Sequence, residues 1–293
     1  MDTAFPDRVA DTDAAALLRI NLTYWWRHRR LPKLSAPTLF TELVQLRKLH
    51  DRDRRLPAMA DKVAIKALVA DRLGLEWVVP TLWAGGSLPM RSHWTQPIVL
   101  KSRHGCNQNA FLQDGGAADW PATRARAARW VRSSYGGWLD EWLYTQIPRG
   151  LLIEPFIGAA GRLPVDYKFY VFGGCVTHVQ VHRDRGGDHH WALYDPDWAM
   201  ITPGGAVTPR PSALREMIAA AEALAGGFDF ARVDLYQPAG RPLFGEISFY
   251  PGSGLDRFDP PEMDGAMGAL WLRAGGHRLV RRGTRGIPIE ARV

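Results

Sequence analysis

The chain has 293 residues, 46% of them hydrophobic and 23% charged, enough to bury a sizeable core divided into subdomains. No apolar run approaches the roughly 20 residues that a bilayer-spanning helix needs, and the first residues show no signal-peptide h-region, so a cytoplasmic chain is expected. Much of the formal charge of +7 lies in the runs 27–30 and 278–285, which fit solvated faces or contact with an anionic partner; no DNA- or RNA-recognition module accompanies them.

In chain order, residues 13–50 read as helical, with an apolar stripe over 13–22 and a second helix over 38–49 after a Ser-Ala-Pro start signal. A helix over 61–75 has Asp61 as N-cap and Gly74 as its end, which places Lys62 in the first turn, where a cation opposes the helix dipole unless an anion binds nearby. Residues 77–80 and 97–101 read as strands, followed by a loop over 102–109. An Ala/Arg-rich helix spans about 121–132, and 151–157 is a further apolar strand. Residues 166–183 alternate as two strands joined at Gly173 and Gly174, and a helix over 212–225 leads into a hairpin pattern, 231–236 and 243–254, turning around Ala239 and Gly240. Helices and strands mix without a regular βαβ rhythm, which predicts an α+β fold. Cys106 and Cys175 stand far apart in no metal-type spacing, so a disulfide framework is not expected. Of the 12 tryptophans, Trp25, Trp26, Trp94 and Trp130 sit beside basic residues, suited to stacking on sugars or to core packing.

The chemistry gathers in that last hairpin. Folding back around its turn brings Asp234 and Glu246 nearly opposite, with Cβ atoms roughly 5 Å apart. Two carboxylates so close call for a cation or a shared proton, and a hard divalent metal carrying phosphates satisfies them; a solvated strand face is the other reading. Lys101 ends a strand before a loop whose N–H groups can cradle phosphate, although no Walker A pattern is present. Asp166 and Lys168 share one strand face and Arg183 closes the next strand. Together they form either a phosphoryl clamp or a surface ion-pair ladder. Arg232 shares a face with Asp234 and serves either a substrate anion or Asp234 itself. His178, His182, His189 and His190 lack any zinc-binding spacing, and no nucleophile motif appears.

Seven segments in order resemble the TupA-like branch of the ATP-grasp superfamily: residues 56–69, IleValLeuLys with HisGly (98–105), IleGluProPheIle (153–157), AspTyrLysPheTyrValPheGlyGly (166–174), AspArgXGlyAspHis (184–189), ArgValAspLeuTyr (232–236) and GlyGluIleSerPheTyrProGlySerGly (245–254). The resemblance implies two α+β subdomains clasping ATP. The expected organisation is an N-terminal helical extension (1–55), an ATP-grasp domain (56–275, subdomains about 75–155 and 156–275) and a basic tail (276–293). It implies that Lys62, Lys101, His104, Gly105 and Asp166 bind the nucleotide. Residues 154–157 become the hinge at the adenine edge, with the Phe156 N–H as donor, the Glu154 carbonyl as acceptor and Ile157 alongside. Lys168 and Arg183 become the basic pair at the γ-phosphate, and Asp234, Glu246 and Ser248 the ligands of Mg²⁺, two ions being expected. Arg232 is a third catalytic candidate, for the substrate carboxylate or the acyl phosphate, or else the structural partner of Asp234. Ser248 stands where the family commonly has Asn. The stretch 158–162 carries no carboxylate for the ribose, and the loop after Lys101 is poor in glycine.

By the same resemblance, the expected reaction is ATP-dependent carboxylate–amine ligation through an acyl phosphate. The expected substrates are a carboxylate and an amine of a bacterial surface polysaccharide or its precursor, with possible peripheral association with other enzymes of polysaccharide synthesis. The alternatives are a kinase acting on a sugar hydroxyl and a nucleotide-binding module without turnover.

Overall fold

The computed structural model describes residues 14–116, 119–159, 161–202 and 207–286; residues 1–13 of the N-terminal extension and 287–293 of the basic tail lie outside the described residues. Its first half runs through helices α1 (Ala14–His28), α2 (Phe40–His50), α3 (Arg55–Ala60) and α4 (Ile65–Leu73), strands β1 (Trp83–Gly85), β2 (Ile98–Ser102) and β3 (Asn109–Leu112), then helices α5 (Trp120–Arg132) and α6 (Trp142–Thr145). Strands β4 (Leu151–Pro155), β5 (Asp166–Phe172), β6 (Cys175–Arg183) and β7 (His190–Tyr194) follow. Helix α7 (Leu214–Ala225), strands β8 (Phe230–Tyr236) and β9 (Leu243–Ser248), and helices α8 (Glu262–Trp271) and α9 (His277–Gly286) complete it. The chain divides into two compact units, one of residues 1–51, 138–141 and 250–293, the other of 52–137 and 142–249.

The larger unit holds both sheets. The first has strand order β1-β4-β2-β3 and the second β7-β6-β5-β8-β9, each pairing antiparallel. Alternation decides what each face does. In the first sheet Ile98, Leu100, Ala110, Leu151 and Ile153 join Trp120 and Ala127 of α5 in one apolar cluster. The intervening residues Val99, Lys101, Asn109, Phe111 and Glu154 line a cavity on the other face. In the second sheet Phe169, Val179, Val181, Val233, Leu235 and Ile247 are all but fully buried. Helix α7 packs against β5, β6 and β8 and buries Leu214, Met217, Ala221 and Leu224, a helical-period stripe.

In the smaller unit α2 and α8 pack together. Thr41 binds the Asp264 carboxylate through its backbone N–H (2.9 Å) and its hydroxyl (2.7 Å). Trp271 is fully buried, with the Arg47 guanidinium 4.4 Å from its ring centre. Gly268 permits the close approach: a Cβ there would lie 2.2 Å from the Thr38 carbonyl oxygen.

Several expectations need correction. Residues 77–80 are not a strand; Leu75–Trp77 is a short 3-10 turn and Val78 makes a single parallel bridge to Phe244. The helix expected from Asp61 begins at Ile65. The Asp61 carboxylate does accept the N–H groups of Val63 and Ala64, but the residues it holds form a turn, so Lys62 precedes the helix. The loop after Lys101 returns as β3, paired with β2. The two-residue link Gly173 and Gly174 matches expectation, with φ of 58° and 87° and Phe172 opposite Cys175.

Candidate active site

Three neighbouring strands place charged side chains on one face of the second sheet. The register pairs Asp234 directly with Glu246, Lys168 with Asp234, and Arg232 with Ser248. Asp234 is 1% exposed. Arg232 grips it bidentately, Nε to Oδ1 at 2.7 Å and Nη2 to Oδ2 at 2.8 Å, and Lys168 Nζ donates to Oδ2 at 2.5 Å. Lys168 also reaches Asp166 at 2.8 Å, and Arg185 Nη1 meets the same Asp166 oxygen at 2.7 Å. Burial alone pushes Asp234 toward the neutral acid, but the charges of Arg232 and Lys168 outweigh it and hold the carboxyl below its usual range. Asp166 is raised by burial, which Lys168 offsets only in part. Burial, reinforced by Asp166, Glu246 and Asp234, raises the Tyr236 phenol well above its usual value, so it stays neutral.

The first sheet contributes the opposite wall. Glu154, 5% exposed, bridges two lysines, Lys66 through Oε1 and Lys101 through Oε2 at 2.6 Å. Burial raises its pKa, yet the two lysines bring it below the usual carboxylate range. Lys62 Nζ donates to the Gly105 carbonyl at 2.6 Å, while Arg103 pairs with Asp61 at 2.5 Å and anchors the turn that carries Lys62. Lys62, Lys101, Gly105, Asp166, Asp234 and Glu246 border one polar cavity. Beside it runs a slot lined by Val79, Val99, Phe111, Phe156 and Phe244, and Lys62, Lys101, Asp166, Arg185, Tyr236 and Gly245 border both spaces.

The hinge differs from expectation. The Phe156 N–H donates to the Pro97 carbonyl at 3.0 Å, and Val99 pairs with Glu154. Antiparallel alternation therefore turns the polar backbone groups of 154 and 156 toward β2. The Pro155 carbonyl and Ile157 N–H face the free edge instead. His104 lines neither space. It is 1% exposed, with Nε2 3.2 Å from the Trp130 carbonyl; burial lowers its pKa, which suits a neutral side chain tying a loop to α5.

Arg183 is likewise off the site. The β5–β6 pairing shifts by one residue between Tyr170 and Val171, so His182 faces Asp166. That shift turns Arg183 to the opposite sheet face. Arg185, two residues on, borders both spaces. Ser248 is 6% exposed on the same face as Glu246 and Arg232 and borders neither. Lys66, Arg185 and Tyr236 were missed from the sequence. Lys66 stands four residues after Lys62, one helical turn, and Arg185 lies within the 184–189 motif, so both carried a signal. His182 stacks on His189 with Nδ1 2.8 Å from its Nε2; burial and the neighbouring cations lower its pKa to about 3.

Among the described residues no group of three or more His, Cys, Asp or Glu side chains gathers as a metal site. Two facing carboxylates with hard oxygens and room beside them still fit Mg²⁺, which is commonly held by one or two acids plus substrate phosphates.

Two antiparallel sheets with an apolar slot opening into a polar, cation-lined end define an ATP-grasp fold of the α+β class. The family model TupA-like ATPgrasp matches residues 42–272, and the chain belongs to that family. Among solved structures it is similar to a D-alanine–D-alanine ligase from Bacillus anthracis complexed with ATP (14% identity, 78% of this chain and 68% of that one, TM-score 0.47). It is also similar to the ATP-grasp ligase PsnB complexed with a phosphomimetic variant of its minimal precursor, Mg and ADP (12%, 75% and 60%, 0.42), and to the D-cycloserine synthetase DcsG (16%, 87% and 81%, 0.45). No curated protein matches.

Proposed function

We propose that the chain is an ATP- and Mg²⁺-dependent carboxylate–amine ligase. The observation that carries this is the Asp234–Glu246 pair bordering the same cavity as Lys62 and Lys101, next to an apolar slot. Adenine stacks in the slot between Val99, Phe111 and Phe244, read by the Pro155 carbonyl and the Ile157 N–H. Lys62 and Lys101 hold the phosphates. Asp166 Oδ1 has no hydrogen-bond partner and borders both spaces, which makes it the carboxylate for a ribose hydroxyl where 158–162 offer none.

Asp234 and Glu246 would hold Mg²⁺, which when bound neutralises phosphate charge. A substrate carboxylate oxygen attacks the γ-phosphorus, the bond to the β-phosphate oxygen breaks and ADP leaves. The amine nitrogen then attacks the acyl carbon, phosphate departs and the amine's proton passes to solvent. Arg185, which borders both spaces, offsets charge on the transferring group. Lys168, expected there too, borders neither space and is held by Asp166 and Asp234, so it positions these acids. Arg232 spends its donors on Asp234 and is a positioning residue. The family resemblance favours a carboxylate of a surface polysaccharide or its precursor. Incubation with ATP, Mg²⁺ and pools of carboxylates and amines tests the reaction. ADP and phosphate released only when both pools are present support ligation; a stable phosphorylated sugar formed without amine assigns a kinase instead. ATP binding without turnover across the pools assigns a binding module.

A further inference from the structure

Helix α1 buries Ala16, Ile20 and Tyr24, as an amphipathic helix should, yet its solvent face is apolar as well. Ala14, Ala15, Leu18, Leu22, Trp25 and Trp26 fall within about 120° of the helix circumference, and all are exposed; Arg29, just past the helix end with φ of 59°, is exposed too. Leu18 is 59%, Leu22 57%, Trp25 49% and Trp26 65% exposed. An ordinary surface helix puts polar residues there. The polar residues of α1 lie elsewhere: Arg19 is paired with Asp140, and Thr23 bonds back to the Arg19 carbonyl.

From Ala14 to Thr41 the sequence contains no acid, while it carries Arg19, Arg27, Arg29, Arg30 and Lys33. Acids flank this stretch at Asp13 and Glu42, and two carboxylates that reach it, Asp140 and Glu42, are engaged by Arg19 and Arg30. Arg29 closes α1 over the Trp25 ring at 5.7 Å and, among the described residues, has no carboxylate partner. Arg30 is taken by Glu42 and the Tyr24 hydroxyl. Arg27, about 140° around the helix from Leu22, donates to the Leu255 carbonyl, and Lys33 is exposed.

We propose that α1 docks on an anionic lipid surface, its Leu and Trp side chains entering the headgroup region while Arg29 and Lys33 meet lipid phosphates. Leucines beside paired tryptophans and flanking basic residues suit the interface, where amphipathic rings sit at headgroup depth and cations gain from anionic lipid. A second copy of the same face brings no acid for Arg29, whereas a bilayer supplies phosphate. The helix lies on the surface; no helix among the described residues is long and apolar enough to cross a membrane. This inference is independent of the catalytic one.

Flotation of the full chain with vesicles tests it, using phosphatidylcholine alone and phosphatidylcholine with about one-third phosphatidylglycerol, whose negative surface attracts basic side chains. The expected result is binding to the anionic vesicles, weakened about tenfold or more by Leu22→Ser with Trp26→Ser and several-fold by Arg29→Glu. Circular dichroism and thermal unfolding should be unchanged, since these side chains are exposed. Absence of binding, or equal binding to neutral vesicles, overturns the inference. So does binding that survives the Leu22 and Trp26 changes, which would assign it to the basic C-terminal run. A concentration-dependent dimer abolished by the same changes, without vesicle binding, would give the face to a second copy.

Discussion

At the residue scale, the two acids of the central pair have different duties. Asp234 is held in place by Arg232 and Lys168, and its removal takes from buried Arg232 its bidentate partner while Lys168 keeps Asp166, which costs about 3 kcal/mol in stability. Glu246 is 35% exposed on its side chain and sits 3.8 Å from Arg232, so Glu246→Gln separates chemistry from folding. Expected is a loss of turnover of about 100-fold or more with an unfolding free energy within about 0.5 kcal/mol of the parent, read by steady-state kinetics and denaturant titration. His182 supplies a pH signature. Its folded pKa of about 3 lies below the ordinary 6.5, so only the unfolded state takes up its proton between these values. Stability is complete above about pH 6.5 and erodes as pH falls toward 3. His182→Gln should flatten that part of the stability curve. The hairpin and the nearness of Asp234 and Glu246 were legible from alternation and the turn, but the turn register alone sets Asp234 against Gly245, and a bulge not readable in the sequence brings Glu246 opposite. Arg183 was misplaced because nothing in the alternating run 175–183 announces the one-residue shift that reverses its face.

At the element scale, bulges aim the site. In the β8–β9 pair Asp234 faces Glu246 while Leu235 faces Phe244, leaving Gly245 as the extra residue. A Cβ at Gly245 would lie 2.9 Å from the Asp234 carbonyl oxygen and 2.7 Å from the Tyr236 ring. Gly245→Ala should therefore shift Glu246 and narrow both spaces, weakening nucleotide binding about tenfold or more by calorimetry. The contrast is Leu224 in α7, fully buried beneath the other face of the sheet. Leu224→Ala should cost about 2–5 kcal/mol in stability, with nucleotide affinity of the folded fraction retained. The long periodic helices and central strands were readable in the sequence. The three-residue β1 and glycine-containing α8 were not, since one is too short for a pattern and the other depends on Gly268 meeting the Thr38 carbonyl.

At the scale of the whole molecule, a ligand that binds only the folded chain must stabilise it. Saturating ATP with Mg²⁺, at about 100 times its dissociation constant, should add about 2.7 kcal/mol, seen as a rise in melting temperature that is lost in Glu246→Gln if Mg²⁺ couples the nucleotide to this acid. The overall fold and the order of its motifs were legible because seven separated segments, each weak alone, occur in sequence, and the family match over 42–272 bears that out. Substrate identity was not legible, because the specificity of such a site rests on side chains from several elements rather than on a motif. The acyl-phosphate route is nevertheless testable once a carboxylate and amine pair supports turnover. With the carboxylate labelled with ¹⁸O, mass spectrometry of the released phosphate should find one labelled oxygen per phosphate formed; unlabelled phosphate, or label appearing in AMP, would contradict it.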